Sequence, residues 1–433
     1  MIEIIYSRDK TRLADKLRHI RERNVALNFE LLQQVASIVQ DVRDRGDAAL
    51  VDYTAKFDGL AVQPADLRIG QDALMSFASN VDQNFLAALR ESIRRVRYFH
   101  EFERQGSWEV ESPDGVRLGQ RISPIERAGL YVPGGTASYP SSVVMNVVPA
   151  QVAGVSRIVV TTPPRTLQEN PAVAAAIVEL GVTEVYAVGG PQAIAALAFG
   201  TETVPRVDKI TGPGNRYVAA AKKLVFGIVG IDSLAGPSEV VIIADSSARA
   251  SYIASDLLAQ SEHSEDASAV LVTTSEWLAE DVATELTNRM PLLPRSAVIE
   301  RSLQQYGAII VVAGIDEACG LVNELAPEHL EIVSQDEEQI AAKVRHAGAI
   351  FLGENTPEAT GDYIAGPNHI LPTSGAARFS SALGVYDFLK RTTILKFSAN
   401  ELKTTAPMIA TLARAEGLEA HARSALIRLE GGI

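Results

Sequence analysis

The chain has 433 residues, 47% hydrophobic and 21% charged, with 40 Lys and Arg against 53 Asp and Glu, a formal net charge of −13. This composition excludes a disordered or fibrous chain and is long enough for two to three domains. The acidic balance argues against a protein that coats nucleic acid or anionic membrane.

The first residues, Met1 to Tyr6, are followed at once by Arg8, Asp9 and Lys10. No apolar core of signal-peptide length is read there, and the expected location is cytoplasmic. Residues 10–55 are predicted helical, because Leu13, Leu17, Val25, Leu31, Leu32, Val35, Ile38 and Val39 recur at helical spacing. Phe77, Phe85, Leu86, Leu89, Ile93, Val96 and Phe99 mark another helical stretch over 72–105. The run from Ala128 to Ser156 is free of charge but carries Pro133, Pro140 and Pro149, so it reads as a loop and a buried helix rather than a membrane span. Strands follow at 157–161, 182–188 and 207–211, with helices at 191–199 and about 216–226. A second series has strands at 239–244, 269–273, 309–312 and 349–352, with helices near 249–263, 276–290 and 316–325. The tail from about 384 is read as helical and polar.

This alternation predicts an α/β protein with two open parallel-sheet, incomplete Rossmann-like domains and small helical extensions at the N- and C-termini. The expected division is a helical extension over 1–25, one α/β domain from 26–130 plus 238–383, a second over 131–237, and a helical tail over 384–433. No fixed-period repeat is visible, although the two series could be divergent copies of one unit. The single cysteine, Cys319, rules out an intramolecular disulfide and a Cys-rich zinc site; within Ala318–Val322 it reads as a small buried hydrophobe.

Seven histidines stand at 19, 100, 263, 329, 346, 369 and 421. Gln260 and His263 lie three apart at a helix end and leave one face, a spacing that suits a metal such as zinc and equally a solvated helix terminus. Glu328 and His329 are adjacent in a Pro-started turn. They suit sequential proton transfers, or else a helix N-terminus with a favourable acid. The His-Glu-x-x-His pattern of zinc proteases is absent. The turn-rich stretch Gly361–His369 follows a strand and offers Asp362 as a ligand and His369 as a substrate contact, or an ordinary Asx/Gly turn. Glu416 and His421, five apart on a helix, point to different sides and would meet one substrate only across an interface or at a helix end; otherwise they are solvated. The turns at Gly134–Gly135, Gly189–Gly190 and Gly212–Asn215 allow a phosphate to approach the backbone at a helix N-terminus, but no complete G-x-G-x-x-G occurs.

Together these segments resemble the histidinol dehydrogenase family over about residues 30–425. The runs that carry the likeness are Gly129–Thr136, Tyr139–Asn146, Gly212–Asn215, Ala235–Glu239, Glu262–His263, Ala326–Glu331, Thr360–His369, Ala377–Ser381 and Ala415–Ala422. The resemblance implies zinc ligands at Gln260, His263, Asp362 and His421, one zinc per subunit, and a proton-transfer pair at Glu328 and His329. It implies further substrate contacts at Ser238, His369 and Glu416, and NAD contacts at Tyr131, Gln192 and Asn215. It also implies a homodimer whose tail completes the partner's site. The activity it implies is the NAD-dependent, two-step oxidation of L-histidinol through L-histidinaldehyde to L-histidine, the last steps of histidine biosynthesis. Ser261, Ser264, Pro191 and Thr211 depart from common family residues, which keeps open a paralogue acting on another small alcohol, such as a sulfonated diol. A zinc hydrolase is a third reading, and the glycine turns with Tyr131, Gln192 and Asn215 speak against it.

Overall fold

The computed structural model describes residues 2–23, 29–134, 139–234 and 236–430. Its strands in chain order are β1 (Ile4–Tyr6), β2 (Arg68–Ile69), β3 (Trp108–Glu111), β4 (Arg117–Pro124), β5 (Arg127–Tyr131), β6 (Arg157–Thr162), β7 (Glu184–Ala187) and β8 (Lys209–Thr211). They continue with β9 (Gly230–Ile231), β10 (Glu239–Ala244), β11 (Ser268–Thr273), β12 (Ala308–Val311), β13 (His329–Val333), β14 (Ala349–Leu352) and β15 (Leu389–Lys396). The chain divides into two compact units, one of residues 1–103 and 125–388, the other of 104–124 and 389–433.

The larger unit holds two six-stranded sheets, as the strand–helix alternation predicts. Sheet one runs β1-β12-β11-β10-β13-β14 and is parallel throughout. Sheet two runs β2-β7-β6-β5-β8-β9, parallel except for the β2–β7 pair. With β1 and β2 set aside, both sheets show one order: third, second, first, fourth, fifth strand of the series. That is the order of doubly wound nucleotide-binding folds, with a switch point between first and fourth strands. The shared order supports the reading of two divergent copies.

Sheet one is buried on both faces, which explains its near-continuous apolar strands. Val240, Ile242 and Ala244 face the helices Ala250–Ser261, Glu276–Arg289 and Ser296–Tyr306, while Val241 and Ile243 face Lys10–Glu22 and Ile315–Leu325. This period-2 alternation packs two apolar layers on one sheet. Cys319 lies buried in the second layer, as expected.

The N-terminal boundaries differ from the sequence division. Residues 1–25 were expected to form a helical extension, but β1 pairs with β12, and Leu13, Leu17 and Ile20 pack on sheet one. Residues from 26 were expected to accompany 238–383, yet Leu31, Val35, Val39 and Val42 of the helix Phe29–Arg45 pack with Leu197 and Val218 in the core of sheet two. A helical stripe states that one face is buried, not what buries it. β13 is a further difference: Glu328–His329 was read as a turn, whereas His329 opens a strand paired to both β10 and β14.

The smaller unit is an antiparallel sheet in the order β15-β4-β3 with a helical hairpin, Ala399–Ala415 and Glu419–Glu430. Ala410, Ala413 and Ala422 close the hairpin. The tail was expected to be helical throughout, but Leu389–Lys396 pairs along its whole length with β4. Its side chains are mostly exposed, so it lacks the apolar alternation that marks a strand.

Gly212 follows β8 with φ +111°, and a Cβ there would sit 2.1 Å from the Tyr131 carbonyl oxygen. Both the torsion and the contact exclude a larger residue. Gly212→Ala is therefore expected to destabilise the fold by about 1–3 kcal/mol, read as a lowered Tm; an unchanged Tm would show that the turn relaxes freely.

Candidate active site

Period and pitch bring the site together. His329 and Glu331 are two apart on β13 and therefore share a face. That face meets the helix Ala250–Ser261, where Asp256 and Gln260 are four apart on one side. The helix returns antiparallel to the strands, so Gln260 and His263 reach the amino edge of sheet one beside Ser238 and Glu328. A third pair four apart, Glu358 and Asp362, comes from the short helix Glu358–Tyr363. Asp362 is thus helical, where a turn was expected. Ser238, His263, Glu328, His329, Asp362 and His369 line one cleft of about 140 Å³, which Gly212, Lys222 and Asp232 border from the side of sheet two.

The adjacent pair is held by one residue. The Glu239 N–H donates to Glu328 Oε2 at 3.0 Å, and His329 Nδ1 lies 3.1 Å from the Glu239 carbonyl oxygen. A carbonyl only accepts, so Nδ1 carries the proton and Nε2 keeps its lone pair. That Nε2 is buried without a protein partner. Burial holds the His329 pKa down to about 4, and burial raises that of Glu328 well above the ordinary carboxylate range. A neutral imidazole and a carboxyl of strengthened basicity therefore stand 3.8 Å apart.

Next to this pair lies a donor cluster. His263 Nε2 is 4.0 Å from Asp362 Oδ2, and ligand atoms of His263, Glu358 and Asp362 all fall within 4.8 Å of one another. With its NH2 turned toward Glu358, the fully buried Gln260 amide donates at 2.8 and 3.0 Å to the two carboxylate oxygens. Glu331 accepts from the Glu358 N–H at 2.8 Å and shares a hydrogen bond with Asp256. Two carboxyls can do this only by sharing a proton, and burial raises both. His369 Nδ1 is 3.0 Å from the Asp362 carbonyl oxygen, and burial lowers its pKa. Burial first, then the charges of Asp362, Glu331, Glu328 and Asp256, push Glu358 well above its ordinary range. A divalent cation would relieve this crowding, and one imidazole with carboxylate and amide oxygens is a donor set suited to zinc. The residues fit such an ion.

The turns of sheet two sit at the carboxyl ends of β5, β7 and β8, around its switch point, where such sheets take nucleotides. The Tyr131 hydroxyl accepts from the Gly190 N–H at 3.1 Å, bracing the glycine turn, and burial pushes its pKa up to about 12. Gln192 is buried with Oε1 unpartnered. The Asn215 carbonyl caps the helix Arg216–Val225 through the N–H groups of Tyr217 and Val218, leaving its NH2 to a ligand. Gly135, in the first of these turns, lies outside the described residues, as do Thr136 and Ala235 from the family runs. Glu416 and His421 are exposed in the smaller unit.

Sequence reasoning missed Glu358, Glu331, Asp256, Glu239 and Arg23. Only Glu358 left a signal, its four-residue spacing from Asp362 behind Pro357. The others become site residues only through tertiary packing: β13 beside β10 and the helix Ala250–Ser261, and the end of the first helix against Glu239.

Comparisons with known proteins give the family. A family model described as histidinol dehydrogenase matches residues 21–429. The chain belongs to the histidinol dehydrogenase family. It is 51% identical over 404 residues to a histidinol dehydrogenase of Geobacillus kaustophilus, covering 93% of this chain and 95% of that protein. It is 49% identical over 409 residues to one of Gluconobacter oxydans, covering 94% of each. The crystal structure of histidinol dehydrogenase from Elizabethkingia anophelis superposes with a TM-score of 0.88 at 36% identity over 92% of both chains. No described helix is long and apolar enough to cross a membrane.

Glu358→Ala would remove the carboxylate that holds the Gln260 amide. Its affinity for zinc, measured by competition with a chelating dye, is expected to fall about 10- to 100-fold; wild-type affinity would take Glu358 out of the cluster.

Proposed function

We propose that this chain oxidises L-histidinol through L-histidinaldehyde to L-histidine in two successive NAD-dependent steps at a zinc site, in the last steps of histidine biosynthesis. One observation carries the reading: a neutral histidine with a free, buried Nε2 stands beside a basic buried glutamate and a His/Asp/Glu/Gln donor cluster. Relatives at about half identity over nearly the whole chain are named histidinol dehydrogenases, and the alternative of a sulfonated or other diol is not favoured.

Gln260, His263 and Asp362 would hold the zinc, with His421 supplied by a second copy in a homodimer. Tyr131, Gln192 and Asn215 would meet NAD at the switch point of sheet two. When bound, NAD accepts the hydride of each oxidation and zinc holds the imidazole and amine of the substrate. His329 takes the alcohol proton at Nε2, while its Nδ1–H stays on the Glu239 carbonyl. Glu328, held at Oε2 by the Glu239 N–H, removes a proton from the water that adds to the aldehyde. Ser238, His369 and, from the partner, Glu416 orient the polar groups of the substrate. The narrow cleft keeps the aldehyde from escaping between the two oxidations. The expected location is the cytoplasm.

The deciding experiment counts NADH formed per L-histidinol consumed by zinc-loaded protein. A ratio near two that a chelator abolishes is expected, and no NADH from protein that binds zinc and NAD would refute the reading. Glu328→Ala is expected to impair oxidation of supplied aldehyde more than of alcohol, by about 10²-fold or more, while equal losses would end the division of roles. His421→Ala is expected to lose zinc, which metal analysis of the purified variant reads directly.

A further inference from the structure

Glu239 hydrogen-bonds the proton-transfer pair through its backbone alone. In the parallel pairing of β10 with β13, Val240 is opposite His329, so Glu239 lies one residue beyond the ladder. There the groups that bond its N–H and C=O are the Glu328 carboxylate and the His329 ring. The two side chains thus extend the sheet, and their positions follow wherever the Glu239 peptide groups point.

On the far side, β11 holds this end of the strand, with Ser268 opposite Glu239 and its N–H on the Ser238 carbonyl at 3.0 Å; on the β13 side, where the ladder has ended, the Glu239 side chain adds a second hold. Its carboxylate is buried, with Oε2 2.6 Å from Arg23 Nη2 and Oε1 accepting from the Ser374 N–H at 2.8 Å. The Arg23 side chain is only 2% exposed. Its Nε donates to the Ile20 carbonyl at 2.8 Å and its Nη1 to the Asp266 carbonyl at 2.8 Å. The guanidinium also lies 5.5 Å from the centre of the Tyr306 ring. Arg23 is therefore locked by groups from three places before it reaches Glu239. An arginine so engaged is a fixed fork rather than a mobile charge.

We propose that Arg23, at the end of the first helix, is a positioning residue for the reaction: it clamps Glu239, whose backbone holds Glu328 and sets the Nδ1-protonated tautomer of His329. Arg23 touches neither the cleft nor the donor cluster. Its hydrogen bonds reach both members of the pair through one residue, while its charge also acts directly on Glu328, where it opposes the rise in pKa. A misplacement of about 1 Å at such a pair costs about 10²-fold in rate. Its kinetic arm rests on the histidinol reading above; its spectroscopic arm does not.

The test compares Arg23→Met, Arg23→Lys and wild type. Arg23→Met is expected to lower kcat on L-histidinol about tenfold or more per folded molecule, with KM, zinc content and NAD affinity within about twofold of wild type. Arg23→Lys, which keeps the charge, is expected to recover part of the loss. Long-range 15N–1H spectra of histidine-labelled protein, with His329→Asn to assign the signal, should show a single Nδ1–H tautomer for His329 in the wild type and a mixture in Arg23→Met. If Arg23→Met does not fold, the Arg23→Met/Glu239→Gln double variant removes both buried charges and is measured in its place. An unchanged His329 tautomer, or a kcat loss matched by loss of zinc or a raised KM, overturns the proposal. Wild-type protein with the Nδ1–H tautomer but no turnover of histidinol would refute the histidinol reading and leave the clamp to the spectra.

Discussion

Burying several carboxyl groups at one end of an apolar sheet is the constraint around which this protein is arranged. Glu239, Glu328, Glu331 and Glu358 are all below a tenth exposed, and Asp256 and Asp362 crowd the same place. An unpaired carboxylate taken out of water costs several kcal/mol or takes up a proton instead. Each acid here has its own remedy. Glu239 has the Arg23 guanidinium and the Ser374 N–H. Glu331 and Asp256 share a proton. Glu328 has one backbone donor, and Glu358 has the Gln260 amide. The remaining excess negative charge gathers at His263, Glu358 and Asp362, where a cation is the natural counterweight. Burial, with the charges of Glu239 and Asp362 behind it, raises the basicity of Glu328, and burial keeps His329 neutral although Asp362 pulls the other way.

The two sheets share one strand order but use opposite ends. Sheet two presents the carboxyl ends of its strands, with glycine turns and helix N-termini, which suits phosphate and backbone contacts. Sheet one presents its amino edge, because the helix Ala250–Ser261 carries Gln260 and His263 back to where β10 and β13 begin. The cleft joins the two: Gly212, Lys222 and Asp232 on one side and the acid cluster on the other. Lys222 helps to shape that rim, donating to the Gly212 carbonyl and pairing with Asp232. A hydride acceptor on one sheet and an alcohol on the other would meet at this boundary, which gives a physical reason for two sheets of one strand order in a single chain.

Much of this was legible in the residues. The apolar runs at 157–161, 239–244, 269–273 and 309–312 became strands, because a fully buried parallel strand has to be apolar on both faces. Gln260, His263, Glu328, His329, Asp362 and His369 stood out as rare polar groups beside turns; the fold brings all but Gln260 to one cleft, and buries Gln260 behind it against Glu358. β15 was not legible, because an exposed antiparallel strand lacks an apolar signature. β13 was not legible either, since Pro327 and two titratable groups at its start read as a turn.

The sequence by itself determined the α/β alternation, the family and the polar residues of the site, because periodicity and residue chemistry are local properties. The tertiary structure alone decided which sheet each N-terminal helix covers, that sheet one works from its amino edge, and that Glu239 joins Arg23 to the Glu328–His329 pair. These are properties of packing and pairing between segments far apart in the chain: Arg23 and Glu239 are 216 residues apart, and β1 pairs with β12 over a still longer separation. No local pattern encodes them, since a buried face or a buried charge specifies that it needs a partner without specifying which one.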